Sequence, residues 1–128
     1  MPMDFLRMTK PTHNFLSSLQ QEKQLAILID PDKFDLTSAA AYLGRLPHET
    51  THIFVGGSEV MAGATEATVM AIKSQSELPV ILFPGDHSQL CEQADAVLFL
   101  SLYSGENPEY LIGQQRKAVP FLRRSKLE

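Results

Sequence analysis

The sequence predicts an α/β fold in which parallel strands alternate with helices, and three observations support this prediction. Four short apolar runs without polar alternation follow one another along the chain, a pattern typical of strands buried on both faces. Stretches with helical spacing of apolar residues lie between most of these runs. Glycine, proline or acidic residues follow several of the runs, as expected where a chain leaves a strand. We find no linker or low-complexity tract, so residues 1–128 are expected to form a single α/β unit.

Strands are predicted where apolar residues run continuously, at residues 25–29, 51–55, 79–83 and 96–100. Helices are predicted where apolar residues recur at helical spacing, at residues 12–22, 35–45 and 58–74 and from residue 108 onward. Ser58 is predicted as the N-cap of the helix that follows the second strand, and Pro108 suits the first turn of the last helix. Residues 86–94 are too few for a crossover helix with its loops, so one or two helical turns or an irregular linker is expected there.

Two architectures fit this alternation: an open doubly wound sheet, or half of a (β/α)8 barrel. In both architectures, ligands bind at the carboxyl ends of the strands. The residues that follow each apolar run are therefore the first candidates for a functional site.

The composition excludes several classes of protein. Eleven Lys and Arg residues against 15 Asp and Glu give a formal net charge of −4, which argues against a nucleic-acid partner because phosphate binding needs a clustered basic surface. Cys91 is the single cysteine, so an internal disulfide is excluded and a small packed apolar side chain is expected. The N-terminus lacks the apolar core of a signal peptide, and no apolar run is long enough to span a bilayer, so a cytoplasmic location is expected.

Two carboxylates, Asp30 and Asp32, directly follow the first strand. Carboxylates in this place can hold Mg²⁺ through one or two oxygens, with water and substrate phosphates as the other ligands. The alternative interpretation is an ordinary acidic turn in which each Asp caps the residues that follow it. A strand followed by Asp-x-Asp also resembles the opening of haloacid-dehalogenase-type phosphatases, in which Asp30 would be the covalent nucleophile and Asp32 the acid.

A glycine turn, Gly56 and Gly57, follows the second strand and precedes Ser58. Two glycines let a ligand approach the backbone closely, and the start of a helix favours an anion. The Ser58 hydroxyl could contact a phosphate or a metal ion, or simply cap the helix. On neighbouring parallel strands, the acidic turn and the glycine turn would face each other across a site for Mg²⁺ and diphosphate.

The remaining polar candidates are weaker. His52 alternates with strand residues and is expected in the core or at an interface. His87 follows a strand end and is expected on an exposed loop, with a ligand contact as the alternative. Tyr103 could line an apolar groove or pack ordinarily.

Four ordered segments together resemble the geranylgeranylglyceryl phosphate synthase family, which includes the bacterial heptaprenylglyceryl phosphate synthases. The segments are LIDPDK at residues 28–33, FVGGS at 54–58, LPVILFPG at 78–85, and ADAVLFLS at 94–101 continuing into NPEYLIGQ at 107–114. The short stretch after the third strand also fits, because that family is similar in replacing the expected helix by an extended segment.

The resemblance implies the N-terminal half of a (β/α)8 barrel and a Mg²⁺-dependent prenyltransferase. A polyprenyl diphosphate loses diphosphate, and the C3 hydroxyl of sn-glycerol 1-phosphate takes the prenyl group as an ether, a step of phospholipid biosynthesis. By position, the resemblance implies Asp30 and Ser58 as Mg²⁺-associated residues. It also implies Tyr103 as a contact for the apolar tail and transient membrane contact through the lipid product. Gly56, Gly57 and Ser58 of the glycine turn are the expected substrate-binding residues.

The chain departs from that family in length, because the family's chains are about twice as long and their glycerol-phosphate site lies in the later half. No catalytic base is therefore assigned, and the isolated chain is expected to be inactive. The loop SLYSG at residues 101–105 also lacks an asparagine common in that family. A four-strand arc leaves its edges and one apolar face uncovered, which predicts a homo-oligomer or flattening into an open sheet. A non-catalytic folding or dimerisation module is the remaining alternative.

Overall fold

The computed structural model describes residues 23–128, which form one parallel sheet with helices and short turns between the strands. The strands are β1 (Ala26–Ile29), β2 (His52–Val55), β3 (Val80–Leu82) and β4 (Ala96–Val97). They pair in the order β1-β2-β3-β4, and every pairing is parallel. The predicted parallel α/β fold is confirmed. The strands lie side by side in chain order, without the reversal of order that a doubly wound sheet shows, as strands do in a (β/α)8 barrel.

The helices are α1 (Ala39–Leu43), α2 (Ala64–Gln75) and α3 (Gln114–Arg124). Short 3-10 turns lie at Pro31–Lys33, Leu36–Ser38 and His87–Gln89, and a π-helical turn at Glu109–Gly113 leads into α3. The single turn His87–Gln89 confirms the expectation for residues 86–94. Within residues 23–128, no helix has the length and apolar character that crossing a membrane requires.

Three of the predicted elements have boundaries that differ from the structure by more than one residue. The helix predicted over residues 58–74 begins at Ala64, because Gly63 has a left-handed backbone (φ 81°) that precedes the first helical residue. The helix predicted over residues 35–45 begins with a 3-10 turn and is regular only in α1. The strand predicted over residues 96–100 ends at Val97, since the next donor on the β3 side is Pro84, which has no N–H. The helix predicted over residues 12–22 lies outside the described residues.

The two faces of the sheet differ in how they are covered. Helices and loops cover one face, whose buried cluster is formed by Ile29, Ile53, Val55, Val69, Ile72, Val80, Leu82, Cys91, Ala94 and Leu127. This placement confirms Cys91 as a packed apolar side chain. On the other face Phe54 stacks on Phe83 with ring centroids 5.5 Å apart, and Leu28 is 54% exposed. The sequence predicts strands buried on both faces; in the described region the larger buried cluster lies on the helix-covered face, and the other face leaves Leu28 and Phe83 about half exposed.

The last residues extend the sheet beyond β4. Leu127 is buried in the core, the Glu128 N–H donates to the Asp95 carbonyl at 3.1 Å, and the Val97 N–H donates to the Glu128 carbonyl at 3.0 Å. Glu128 therefore occupies a ladder position on the outer edge of β4, in the place of a next parallel strand.

Candidate functional site

The turn after β1 holds Asp30 in a fixed orientation. Asp30 is the N-cap of the 3-10 turn Pro31–Lys33, and its Oδ1 accepts the Asp32 N–H at 3.0 Å. Its other oxygen, Oδ2, lies 3.8 Å from the Lys33 ammonium, and about a third of the side chain is exposed. The capping role that the sequence offered as an alternative is therefore real. It uses one oxygen, and Oδ2 remains at the surface beside a cation.

The glycine turn after β2 lies directly against this carboxylate. A Cβ atom on Gly57 would stand 3.1 Å from Asp30 Oδ1, so the backbone of Gly57 touches the Asp30 side chain. The loop beyond is fastened to the same turn, because Asp32 Oδ1 accepts the Met61 N–H at 3.1 Å. The two strand ends converge as the sequence predicts, and Ser58 is the exposed residue that immediately follows the contact.

The predicted role of Ser58 at a helix N-terminus is wrong. Helix α2 begins at Ala64, six residues later, so Ser58 caps no helix and the dipole of α2 does not act at the glycine turn. Any anion contact at this turn has to come from the local backbone, the Ser58 hydroxyl or a bound cation.

Gln89 holds the glycine turn from the side of β3, a contact that sequence reasoning missed. Its Nε2 donates to the Gly57 carbonyl at 2.7 Å, and its Oε1 accepts the Gly57 N–H at 3.2 Å. These groups are 32 residues apart in sequence. The nearest signal in the sequence is the short segment at residues 86–94, which brings the third connection back over the strand ends.

Two surface pockets flank the converging turns. One has a volume of about 320 Å³ and is lined by Leu28, Gly56, Gly57, Ser58, Phe83, Pro84, Gly85 and Leu100. The other has a volume of about 220 Å³ and is lined by Leu28, Ile29, Asp30, Lys33, Phe34 and Tyr42. Polar groups of the glycine and acidic turns thus adjoin an apolar wall, an arrangement that suits a ligand with an anionic head and an apolar tail.

The other predicted candidates lie apart from this contact. Tyr103 is fully exposed and lines neither pocket. His87 is half-buried, and both its N–H and its Nδ1 lie 2.8 Å from Oε1 of Gln114, whose Nε2 donates to Glu109. A hydrogen bond from the Lys117 ammonium lowers the pKa of Glu109. His52 is buried, as predicted, and burial lowers its pKa.

A metal ion would find an incomplete ligand set here. Among the residues that the structure describes, no three His, Cys, Asp or Glu side chains are grouped as a ready metal site. One carboxylate oxygen of Asp30 and the nearby Ser58 hydroxyl are hard oxygen donors, of the kind that Mg²⁺ prefers. Mg²⁺ commonly takes one or two protein ligands and completes its octahedron with water and substrate phosphates. The residues present fit Mg²⁺ held in that way.

Comparisons with known proteins show which proteins this chain resembles. The model of the PcrB family matches residues 17–126. A geranylgeranylglyceryl phosphate synthase of Zunongwangia profunda is 52% identical over 107 residues, which are 84% of this chain and 46% of that protein. The synthase of Flavobacterium johnsoniae is 47% identical over 110 residues, 84% of this chain and 44% of that protein.

Solved structures show the same relationship. The wild-type GGGPS of Thermoplasma volcanium matches with a TM-score of 0.73 at 34% identity, over 88% of this chain and 46% of that one. The (S)-3-O-geranylgeranylglyceryl phosphate synthase of Thermoplasma acidophilum, in complex with sn-glycerol-1-phosphate, matches with a TM-score of 0.70 at 33% identity. The match covers 88% of this chain and 47% of that one. The chain spans about half the length of these relatives.

Proposed function

The chain belongs to the PcrB family, and from this premise we propose that it forms the diphosphate-binding half of a prenyltransferase site. The proposed reaction joins a polyprenyl diphosphate to sn-glycerol 1-phosphate. The C3 hydroxyl oxygen forms a bond to the first prenyl carbon, the bond from that carbon to the diphosphate oxygen breaks, and the hydroxyl proton leaves to a base. The relatives named above support this reaction class.

The contact between the Asp30 carboxylate and the Gly57 backbone is the observation that best supports the proposal. Asp30 and Ser58 would hold Mg²⁺, which would stabilise the negative charge on the departing diphosphate. Asp30 is suited to this role because the Asp32 N–H fixes one of its oxygens and leaves Oδ2 at the surface. Gly57 leaves space beside the carboxylate that any side chain would fill.

The apolar pocket beside the glycine turn supports the choice of a prenyl substrate. Leu28, Phe83 and Leu100 line this pocket together with Gly57 and Ser58. A diphosphate bound at the turn would place the start of its hydrocarbon chain against these side chains, where burial of each CH₂ contributes about 0.8 kcal/mol. The contact of Tyr103 with the more distant tail stays a prediction.

The phosphatase alternative fits the structure less well. That mechanism needs Asp32 as an acid beside the nucleophile Asp30, but Asp32 Oδ1 accepts the Met61 N–H and fastens the next loop. The relatives that the chain matches are also named for a different reaction. A non-catalytic module, a homo-oligomer, a cytoplasmic location and transient membrane contact all stay predictions. We expect the 128-residue chain alone to form no ether, because it spans only about half the length of the synthases that it matches.

Calorimetric titration of the 128-residue chain with MgCl₂ and inorganic pyrophosphate tests the proposed site. Asp30→Asn keeps an oxygen that can accept the Asp32 N–H but removes the charge, so we expect affinity to fall at least about tenfold. Asp35→Asn is the matched control, because Asp35 also caps a 3-10 turn and accepts the Thr37 N–H at 2.9 Å. This substitution changes the net charge of the chain by the same amount as Asp30→Asn. Equal binding by wild type and Asp30→Asn would remove Asp30 from the metal site.

A further inference from the structure

Gln89 is a buried polar side chain whose hydrogen bonds converge on one residue of the candidate site. It is 2% exposed, and its carboxamide bonds both the N–H and the carbonyl of Gly57. These two groups belong to successive peptide units, so Gln89 fixes the backbone on both sides of the Gly57 Cα. Glycine has the greatest backbone freedom of any residue, and such a turn is ordered only when its surroundings hold it.

The segment that presents Gln89 is itself fixed. Asp86 caps the turn His87–Gln89 by accepting the Ser88 N–H at 2.7 Å, and the Gln89 N–H bonds the Asp86 carbonyl at 3.3 Å. Gly85 leaves room for the carboxamide, because a Cβ there would stand 3.1 Å from Gln89 Nε2 and 2.4 Å from the Gly57 carbonyl oxygen. The third connection is thus packed onto the glycine turn with no space for another side chain at Gly85.

We propose that Gln89 is a positioning residue for the prenyl diphosphate site. By holding both peptide units of Gly57, it keeps the backbone against the Asp30 carboxylate and directs Ser58, the next residue, toward the same cation. Gln89 touches neither metal nor diphosphate in this proposal and acts through Gly57. The inference rests on the proposed function, since it assigns a role within that site.

Two substitutions separate positioning from simple packing. Gln89→Met has a similar length but forms neither hydrogen bond, so the affinity for Mg²⁺ with pyrophosphate should fall about tenfold at every pH. Gln89→Glu keeps an acceptor for the Gly57 N–H but, when ionised, turns a second oxygen toward the Gly57 carbonyl. When protonated, the Glu carboxyl donates to that carbonyl as the amide does.

The readout is therefore the affinity of each variant divided by that of wild type at the same pH. This ratio cancels the pH dependence that variant and wild type share, including the protonation of pyrophosphate. For Gln89→Glu the ratio should be low at pH 8 and rise toward one at pH 5, because burial raises the pKa of a glutamate. For Gln89→Met it should stay low throughout.

Asp95→Ala is the control for loss of stability, because Asp95 bonds the Val80 N–H at the opposite end of the strands. It should lower the melting temperature and leave the affinity unchanged. If the affinity falls equally in Gln89→Met and Asp95→Ala, Gln89 has only a structural role and the inference is overturned. The inference is also overturned if Gln89→Met binds with the affinity of wild type. If wild type itself fails to bind Mg²⁺ with pyrophosphate, the proposed function fails and the positioning role fails with it.

Discussion

Gly56→Ala should destabilise the fold strongly, because the Gly56 backbone lies directly against the backbone of Phe83. A Cβ there would stand 1.9 Å from the carbonyl oxygen of Phe83 and 2.5 Å from its carbonyl carbon. Ordinary contact begins at 3.4 Å, so the new methyl group would be about 1.5 Å too close to backbone atoms. The Phe83 backbone cannot retreat freely, since its N–H donates to the Val55 carbonyl at 2.8 Å.

The expected loss is about 3 kcal/mol or more in the free energy of unfolding. Overpacking a tight site costs about 1–3 kcal/mol, and separating the strands locally sacrifices a hydrogen bond worth about 1 kcal/mol. A domain has about 5–15 kcal/mol in total, so the variant should remain folded only marginally. At about 4 °C per kcal/mol, the melting temperature should fall by about 12 °C.

Urea and thermal denaturation followed by circular dichroism measure this loss. Gly63→Ala is the matched control, because the same methyl group there meets nothing within 4 Å and only the positive φ of 81° opposes it. That control should cost about 1–2 kcal/mol. If Gly56→Ala loses no more stability than Gly63→Ala, the close approach of Gly56 to Phe83 is refuted.

Two further predictions concern the opposite end of the sheet. His52→Gln should flatten the pH dependence of stability. Burial lowers the pKa of His52, so the unfolded chain takes up the proton at a higher pH than the folded chain does. Wild type therefore keeps its full stability above about pH 6.5 and loses part of it as the pH falls below that value. Urea midpoints measured from pH 8 to pH 5 test this, and equal slopes in both proteins would contradict it. Asp95→Ala should lower the free energy of unfolding by about 1–3 kcal/mol, because it leaves the buried Val80 N–H without its acceptor. Asp95→Asn should lower it by under about 1 kcal/mol, because only the exposed ion pair with Lys73 is lost. Equal losses in the two Asp95 variants, measured by urea denaturation, would show instead that the ion pair matters.

The strands and their parallel pairing were predictable because their signal is local. Each strand is a continuous apolar run, and the turns beyond β1 and β2 are marked by aspartate and glycine. The same apolar runs predict burial of both faces of the sheet, and this prediction is wrong for one face, where Leu28 and Phe83 are about half exposed. Apolar residues on that face match the interior of a closed barrel, which four strands do not enclose.

The features that sequence reasoning missed depend on contacts between distant segments. Ser58 has the side chain of a good N-cap, but the Met61 N–H is drawn to Asp32 and the helix starts only after Gly63. Gln89 reaches Gly57 across 32 residues, and no periodicity marks such a bond. A hydrogen bond from a side chain to the backbone of a distant segment follows no fixed spacing in the sequence, so the sequence alone does not predict it.

These contacts explain how the turns after β1 and β2 can be ordered on the four strands that the structure describes. Asp32 holds the loop after β2, and Gln89 from the connection after β3 holds the glycine turn of that loop, so each connection is fastened to the next. The loop after β4, where Tyr103 is fully exposed, shares no such fastening to the glycine turn. Ordering one flexible side chain on binding costs about 0.5–1.5 kcal/mol. We therefore expect the diphosphate to bind a preformed turn, and contact between Tyr103 and the prenyl tail to add less affinity than the area that it buries would suggest.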